Sequence, residues 1–577
     1  MHHADLPARV SHKVSLRGAV GCALGVYLVV VTIALQPGKS VASELDVDLG
    51  PVTEKHVMVP MRDGKRLSAY IYFPRGKGPW PAIFEQRYTN NRAPHTRQFY
   101  ARLAAQGYGV MIENFRGSQL SEGVWVGSRA LGWGSLQDGY DTVEWLAKQP
   151  WCNGRVGSFG GSQGGFAQNF LAVTQAPHLV CQYMRDTGLS LFHEGYRIGG
   201  TTRPLRFKSM EAVARDPAHN RTLIEEWLEH PTYDDYWEQE DCTRHFAKMN
   251  VPCFQVGSWY DFMCRGTVES FVGRQHRGGP RSRGRQQMRI GPWVHGRNKN
   301  INRVGELTFP ADAKFDKEAH MIRWFDHHLK GLDNGIDREP AVQYYVLGAV
   351  GEPGAPGNEW RRADDWPPAA QPTAYYMHSA GRLSTDEPRR TGGDTISFRA
   401  DPYHPATLPS TAFPGARDAR PFERQREVRT LTTDALTAPV EWTGKVIAEL
   451  FVSSTARDTD FIVRVSDVYP DGRSILIIDG ILRARYREGF EKETFMEPGK
   501  IYKLTFDVGW LSQIFNRGHC IRVTLASTGT PFFEVNPNTG ERLTVDLPEA
   551  MVVATNTVYL GGRYPSRVVA PVAAAAR

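Results

Sequence analysis

Along residues 55–330, short apolar runs suited to buried strands alternate with longer stretches of helical period. The strand-like runs are His56–Pro60, Leu67–Phe73, Trp80–Phe84, Gly109–Glu113, Arg155–Phe159, His178–Met184, Val251–Val256 and Met288–Gly291. Helical spacing marks His95–Gly107, Gln137–Gln149, Gly165–Thr174, Arg265–Gln275 and Asp312–Lys330. Strands separated by helices of this length predict a parallel sheet covered on both faces. Between Asp186 and Asn250 the strand signal lapses. Polar, aromatic-rich segments such as Leu223–Glu229 and Tyr233–Met249 replace it and read as a helical insertion above the sheet. After Arg338 the helical period disappears. Short alternating strands take over at Ala341–Leu347, Ala374–His378, Ile447–Ser453, Phe461–Asp467, Leu482–Tyr486, Ile501–Val508 and Cys520–Ala526. Strands of this kind, parted by Gly, Pro and Asp turns, predict an antiparallel sandwich or jelly roll. The Pro- and Arg-rich stretches 350–372 and 399–425 read as surface loops.

The amino terminus has its own pattern. Arg9, Lys13 and Arg17 precede an uncharged, mostly apolar run from Gly18 to Leu35, and Ser40-Val41-Ala42 offers small residues for cleavage. This order resembles a secretory signal, with an uncleaved anchor as the alternative. It predicts export to the periplasm or the medium, and membrane contact only where the segment is retained.

Composition changes little in this picture. A length of 577 residues allows two to four domains, and 56 Gly with 37 Pro favour a turn-rich fold. The formal charge of +7 looks basic, but four of the Lys and Arg residues, against one acid, lie in the first 42 positions. What remains is too weak to argue for a nucleic-acid partner. Of seven cysteines, Cys22 lies in the leader. Cys152, Cys181, Cys242, Cys253, Cys264 and Cys520 remain, an even number that permits disulfides without choosing a pairing. No CxxC occurs, so no zinc site is expected.

The chemistry is concentrated around Arg155-Val-Gly-Ser-Phe-Gly160-Gly-Ser162-Gln-Gly164-Gly-Phe166. Here a G-x-S-x-G motif follows an apolar strand and opens a helical stretch, the context of a nucleophile elbow. In that turn the serine takes a strained backbone conformation, and small neighbours at Gly160 and Gly164 keep atoms from clashing. A serine hydroxyl needs a base, and in such folds the order is serine, acid, histidine. Asp261 follows the strand Val251–Gly257, and His295 follows the last strand of the domain, so both come in the required order at strand ends. His193, His320, His327 and His328 compete with His295, but the last three fall on a helical pattern suited to packing.

Several segments together resemble the cocaine esterase and X-prolyl dipeptidyl-peptidase group of serine hydrolases. They are Trp151-Cys-Asn-Gly-Arg-Val-Gly-Ser-Phe-Gly-Gly-Ser162, Ser258-Trp-Tyr-Asp261 and Ile290-Gly-Pro-Trp-Val-His295, with Asn114-Phe-Arg-Gly-Ser-Gln-Leu-Ser-Glu-Gly123 and Trp324-Phe-Asp-His-His-Leu-Lys-Gly331. Gly509-Trp-Leu-Ser512 and Tyr564-Pro-Ser-Arg567 resemble the group's terminal jelly roll. The resemblance spans about residues 50 to 570. It implies an α/β-hydrolase core, a helical cap between nucleophile and acid, and a C-terminal jelly roll packed on the core. It makes Ser162 the nucleophile, His295 the base and Asp261 the residue that orients it. It also implies an oxyanion hole built from the Tyr88 hydroxyl, in Phe84-Glu-Gln-Arg-Tyr88, and the backbone N–H of Gln163.

There are three departures, of which the one at Asn114 is expected to matter little for chemistry. Gln163 stands where the group has an aromatic residue, and Asn114 where an aspartate is common. The α-amino-acid ester hydrolases of the group carry carboxylates just past the catalytic aspartate to hold a substrate ammonium. Here those positions are Phe262, Met263 and Cys264, and Gly188-Leu-Ser-Leu-Phe192 is acid-free, although Glu194 follows closely. A neutral or anionic acyl group is therefore expected, with Arg87, Arg185 and Arg265 as candidates to meet a carboxylate.

The fold expected is thus α/β, with a leader at 1–42, a hydrolase core at 43–185 and 251–338, a helical cap at 186–250 and a jelly roll at 339–577. The activity expected is serine-dependent hydrolysis of small-molecule carboxylic esters or amides, needing neither cofactor nor metal. The alternatives are an X-Pro-type dipeptidyl-peptidase, a glutaryl β-lactam acylase and a non-catalytic glycan-binding surface protein.

Overall fold

In the computed structural model the described residues are 47–206, 213–296, 301–389, 393–408, 415–541 and 549–574, and Asp48–Arg577 forms one compact unit. The leader expected at 1–42 lies outside the described residues. Among those described, no helix is long and apolar enough to cross a membrane.

Ten strands lie side by side in the main sheet. In spatial order they are Thr53–Pro60, Arg66–Phe73, Gly109–Asn114, Trp80–Arg87, Cys152–Gly161, Leu179–Arg185, Cys253–Ser258, Gln286–Gly291, Val342–Val346 and Glu359–Ala363. The strands from Gly109–Asn114 to Val342–Val346 run parallel. Every residue of Gly109–Asn114 and Cys253–Ser258 is buried, as expected for a parallel sheet covered on both faces. The helices Pro94–Ala104, Asp138–Ala147, Gln163–Val173, Cys264–Arg277 and Lys317–Lys330 fall on the five segments with helical period.

The main sheet runs on past residues 338/339. Val342–Val346, read as the first strand of the C-terminal domain, pairs parallel with Gln286–Gly291, and Glu359–Ala363 closes the sheet antiparallel to it. Glu359–Ala363 also falls within a stretch read as loop. An alternating strand carries no mark of the sheet it joins; its partner is chosen by packing. Just past that strand, Leu347 bonds through its backbone to Ser512 and Ile514, tying core to C-terminal domain.

In the insertion, Pro217–Glu229 is a helix capped by Asp216 with Pro217 in its first turn. The expected helix Tyr233–Met249 is not continuous. Only Asp235–Glu238 and a 3₁₀ turn at Phe246–Lys248 form, because Cys242 N–H donates to Leu189 O and ties the chain to the segment that follows Leu179–Arg185.

Beyond residue 369 two antiparallel sheets stack. One holds Leu383–Ser384, Ala370–Met377, Arg567–Ala573, Val440–Ser454, Ala554–Tyr559 and Thr395–Ala400, with Tyr502–Phe515 also paired to Val440–Ser454. The other holds Arg429–Thr432, Cys520–Ala526, Asp460–Val468 and Ser474–Arg483. One apolar cluster runs from Trp259 and Tyr344 through Trp366 to Trp442 and Trp510, so the two parts share a core. The six described cysteines are all free thiols.

Candidate active site

Ser162 occupies the turn between the strand Cys152–Gly161 and the helix Gln163–Val173, at φ 57° and ψ −124°. That conformation is costly for a residue with a side chain and persists only where the surroundings hold it. The amides of Gly165 and Phe166 donate to Ser162 O at 2.9 and 3.0 Å, and Ser162 N–H donates to Arg185 O at 3.1 Å. The flanking glycines are required by space: a Cβ on Gly160 would collide with the Gly164 carbonyl, and one on Gly165 with Thr187.

His295 and Asp261 reach the same edge of the sheet from two further strands. Asp261 lies in the turn after Cys253–Ser258, with its side chain fully buried, and His295 lies in the turn after Gln286–Gly291. The Ser162 hydroxyl donates to His295 Nε2 at 2.8 Å. On the other side of the ring, Nδ1–H donates to Asp261 Oδ1 at 2.9 Å and faces Oδ2 at 3.1 Å. Because a carboxylate only accepts, it fixes the proton on Nδ1 and leaves the Nε2 lone pair for the serine. Asp261 is held in turn by Met263 N–H at 3.0 Å.

Electrostatics favour a chargeable imidazole. Burial by itself would lower the His295 pKa, but the Asp261 charge and hydrogen bond, with the Asp186 charge behind them, outweigh it and raise the pKa above its ordinary value. Asp186 was not anticipated. It is the first residue after Leu179–Arg185; its Oδ1 accepts from Ser258 Oγ at 2.8 Å and its Oδ2 from Gly296 N–H at 2.9 Å. Burial and the neighbouring Asp261 push its own carboxyl up. The rule that marks Asp261, an acid just past a strand end, marks Asp186 equally well.

Tyr88 and Gln163 are placed by register. Phe84 pairs with Ser158 across adjacent parallel strands, so Tyr88 and Ser162, each four residues on, leave the sheet side by side. The Tyr88 hydroxyl bonds to no described residue, and its ring lies 6.4 Å from that of Phe115. Gln163 opens its helix, where a backbone N–H has no intrahelical acceptor. Of the competing histidines, His320 packs on Phe254 and His328 on Trp324 beside His327, while His193 stacks on Tyr233 at the wall of a cavity that Asp261 also lines. Among the described residues no cluster of three or more His, Cys, Asp or Glu has the arrangement of a metal site.

Glu194 is buried and turned onto the amides of Leu189 and Ser190, and burial pushes its carboxyl up to about 8. Met263 and Cys264 are buried. Of the arginines singled out in the sequence, Arg265 pairs with Glu269 at 3.1 Å and Asp507 at 3.4 Å, and Arg87 lies 3.7 Å from Glu85. Arg185 supplies the carbonyl that holds Ser162 N–H.

A strained serine on an elbow, at the carboxyl edge of a mostly parallel sheet, with a two-sheet β domain behind it, defines the class: an α/β-hydrolase carrying a β-rich C-terminal domain. Comparison with known proteins agrees. The family model described as X-Pro dipeptidyl-peptidase (S15 family) matches residues 63–215 and 206–297, and that of the X-Pro dipeptidyl-peptidase C-terminal non-catalytic domain matches 334–569. The cocaine esterase of Rhodococcus sp. (strain MB1 Bresler) is 29% identical over 587 residues, covering 90% of this chain and 98% of its own. Among solved structures, an aminopeptidase from the marine sediment archaeon Thaumarchaeota archaeon superposes with a TM-score of 0.77 at 24% identity, over 92% of this chain and 98% of that one. An α-amino acid ester hydrolase gives 0.79 at 21% identity, over 95% and 100%. The chain belongs to the cocaine esterase and X-prolyl dipeptidyl-peptidase group, and it is a serine hydrolase.

Proposed function

We propose that this protein hydrolyses carboxylic esters of small molecules through an acyl-enzyme on Ser162. The observation that carries the reading is His295, hydrogen-bonded to Ser162 Oγ through one ring nitrogen and to Asp261 through the other. In this scheme His295 Nε2 takes the hydroxyl proton as Oγ attacks the ester carbonyl. Asp261 stabilises the imidazolium that results. Tyr88 Oη–H and Gln163 N–H donate to the oxyanion. Collapse expels the alcohol, which leaves with the proton from His295. Water then attacks the Ser162 ester with His295 again as base, releasing the acid and restoring the serine.

Ester cleavage is preferred to X-Pro dipeptide release because a free substrate amine needs an exposed acid. Here Met263 and Cys264 follow the catalytic aspartate, and Glu194 is spent on backbone amides. The leader-like segment at 1–42 adds export to the reading, to be tested by fractionating cells that express the full chain. The central test is fluorophosphonate labelling combined with hydrolysis of p-nitrophenyl esters against X-Pro-p-nitroanilides. Labelling that vanishes in Ser162→Ala, with esters cleaved faster than anilides, is expected. Labelling that survives the substitution rejects the site.

A further inference from the structure

Beside the triad lies a cavity of about 430 Å³, walled by Asp261 and Phe262, by Arg203 and Arg206 of the insertion, and by Ile478 and Asp479 of the C-terminal domain. Arg203 is the unusual member. Its side chain is 8% exposed, yet it makes no hydrogen bond or ion pair with any described residue. None of its nitrogens is among the fully buried polar atoms, so the guanidinium opens onto the cavity, where an anion can meet it.

The surroundings hold this cation in place. Its guanidinium carbon lies 5.2 Å from the centre of the Phe262 ring, and that ring lies 4.8 Å from the His295 ring. Arg203 is thus one aromatic ring removed from the base. Arg206 lies over the same ring at 4.8 Å. The hairpin before Arg203 is clamped to the C-terminal domain: Glu534 Oε1 accepts from Thr202 N–H at 3.0 Å, and Arg483 N–H donates to Gly199 O at 2.8 Å. Across the cavity Arg265 is already paired with Glu269 and Asp507, while Asp479 lies 3.7 Å from Arg464.

We propose that Arg203 binds a carboxylate of the substrate, so that the preferred esters carry an acid group as well as the scissile bond. The proposal rests on the hydrolase reading above and names the substrate class of that site. Burial, then Arg206, pushes the Arg203 guanidinium down to about 10 against the opposing charges of Asp479, Glu194 and Asp261, and the charge of a bound carboxylate acts against that shift. Planar two-point contact with a carboxylate is what a guanidinium offers and an ammonium does not.

The test compares kcat/KM for three esters: p-nitrophenyl butyrate, the mono-p-nitrophenyl ester of glutaric acid, and 4-carboxyphenyl butyrate. The second carries its carboxylate on the acyl group and the third on the leaving group, so the better of the two identifies the charged end. The wild type is expected to favour one of them over the neutral ester by about tenfold or more. That ratio should collapse toward one in Arg203→Met and recover partly in Arg203→Lys. A ratio near one in the wild type, or one unchanged in Arg203→Met, overturns the proposal. Glutarate and 4-hydroxybenzoate provide a readout independent of turnover. At least one should raise the Tm of Ser162→Ala and fail to do so when Arg203→Met is added. No shift in Ser162→Ala, with Ser162 of the wild type still labelled by fluorophosphonate, removes the anion site alone; a shift in Ser162→Ala with no labelling of the wild type removes the hydrolase reading alone.

Discussion

Asp186 Oδ2 accepts the backbone N–H of Gly296 at 2.9 Å, one residue past His295, while its Oδ1 takes the hydroxyl of Ser258, three residues before Asp261. One buried carboxylate therefore ties together the loops that carry both partners of Ser162. Its charge also helps to raise the His295 pKa. A base works when neutral, so activity should rise with pH through that raised pKa. In Asp186→Asn the supporting charge is gone, the pKa falls, and the acid limb of kcat/KM moves to lower pH by about half a unit. A role confined to packing would lower kcat or Tm and leave the limb in place; pH–rate profiles distinguish the two.

Tyr88 leaves its strand level with Ser162 and has an uncommitted hydroxyl. Tyr88→Phe should lower kcat by about 10²–10³-fold, the cost of one oxyanion donor, with little change in KM. Steady-state kinetics on a p-nitrophenyl ester measures this. An unchanged kcat would remove Tyr88 from the mechanism.

Gly160 sits where a Cβ would run into the Gly164 carbonyl. That contact is with backbone, which cannot swing aside. Gly160→Ala should cost at least about 2 kcal/mol of stability and slow fluorophosphonate labelling by displacing the elbow. Thermal melts and labelling rates test both effects.

Glu534 bonds to Thr202 of the insertion and to Arg483 at 2.6 Å, and Arg483 is fully buried against Asp460 as well. Glu534→Ala leaves that buried cation half paired, at a cost of about 3 kcal/mol. Urea titration should show it. Because the same carboxylate anchors the hairpin before Arg203, any preference for carboxylate-bearing esters should weaken in parallel.

Five of the six described cysteines are buried, while Cys520 is half-buried. Burial raises the thiol pKa of all six. The native protein should therefore react with Ellman's reagent at one thiol first, at Cys520. In guanidinium, a chain cleaved after Ala42 should titrate six thiols with or without prior reduction; a smaller number before reduction would reveal a disulfide.

Much of the site was legible in order and local context. A strand, G-x-S-x-G and a helix can fold in few ways other than an elbow, and Gly160 shows why: the turn leaves no room for a Cβ. Asp261 and His295 were readable because each ends an apolar run, and the ends of parallel strands converge on one edge. Other features did not stand out in the sequence. Asp186 obeyed the rule that marks Asp261 but was absorbed into the start of the insertion. Among the arginines, Arg265 looked available in sequence and is paired in the fold, while Arg203, whose side chain stacks on Phe262 at the cavity wall, had no distinguishing neighbour in the chain.

Period, turn residues and motif order are written in near neighbours, and by themselves they determined the strands and helices of the hydrolase core, the elbow and the sequence of Ser162, Asp261 and His295. Only the tertiary structure decided that Val342–Val346 joins the core sheet, that Asp186 braces the loops carrying Asp261 and His295, and that Arg203 is brought to the cavity beside Phe262. The physical reason is range. A local pattern states which faces must be buried, but pairing partners and ion pairs depend on which distant segment covers them, and only packing of the whole chain settles that.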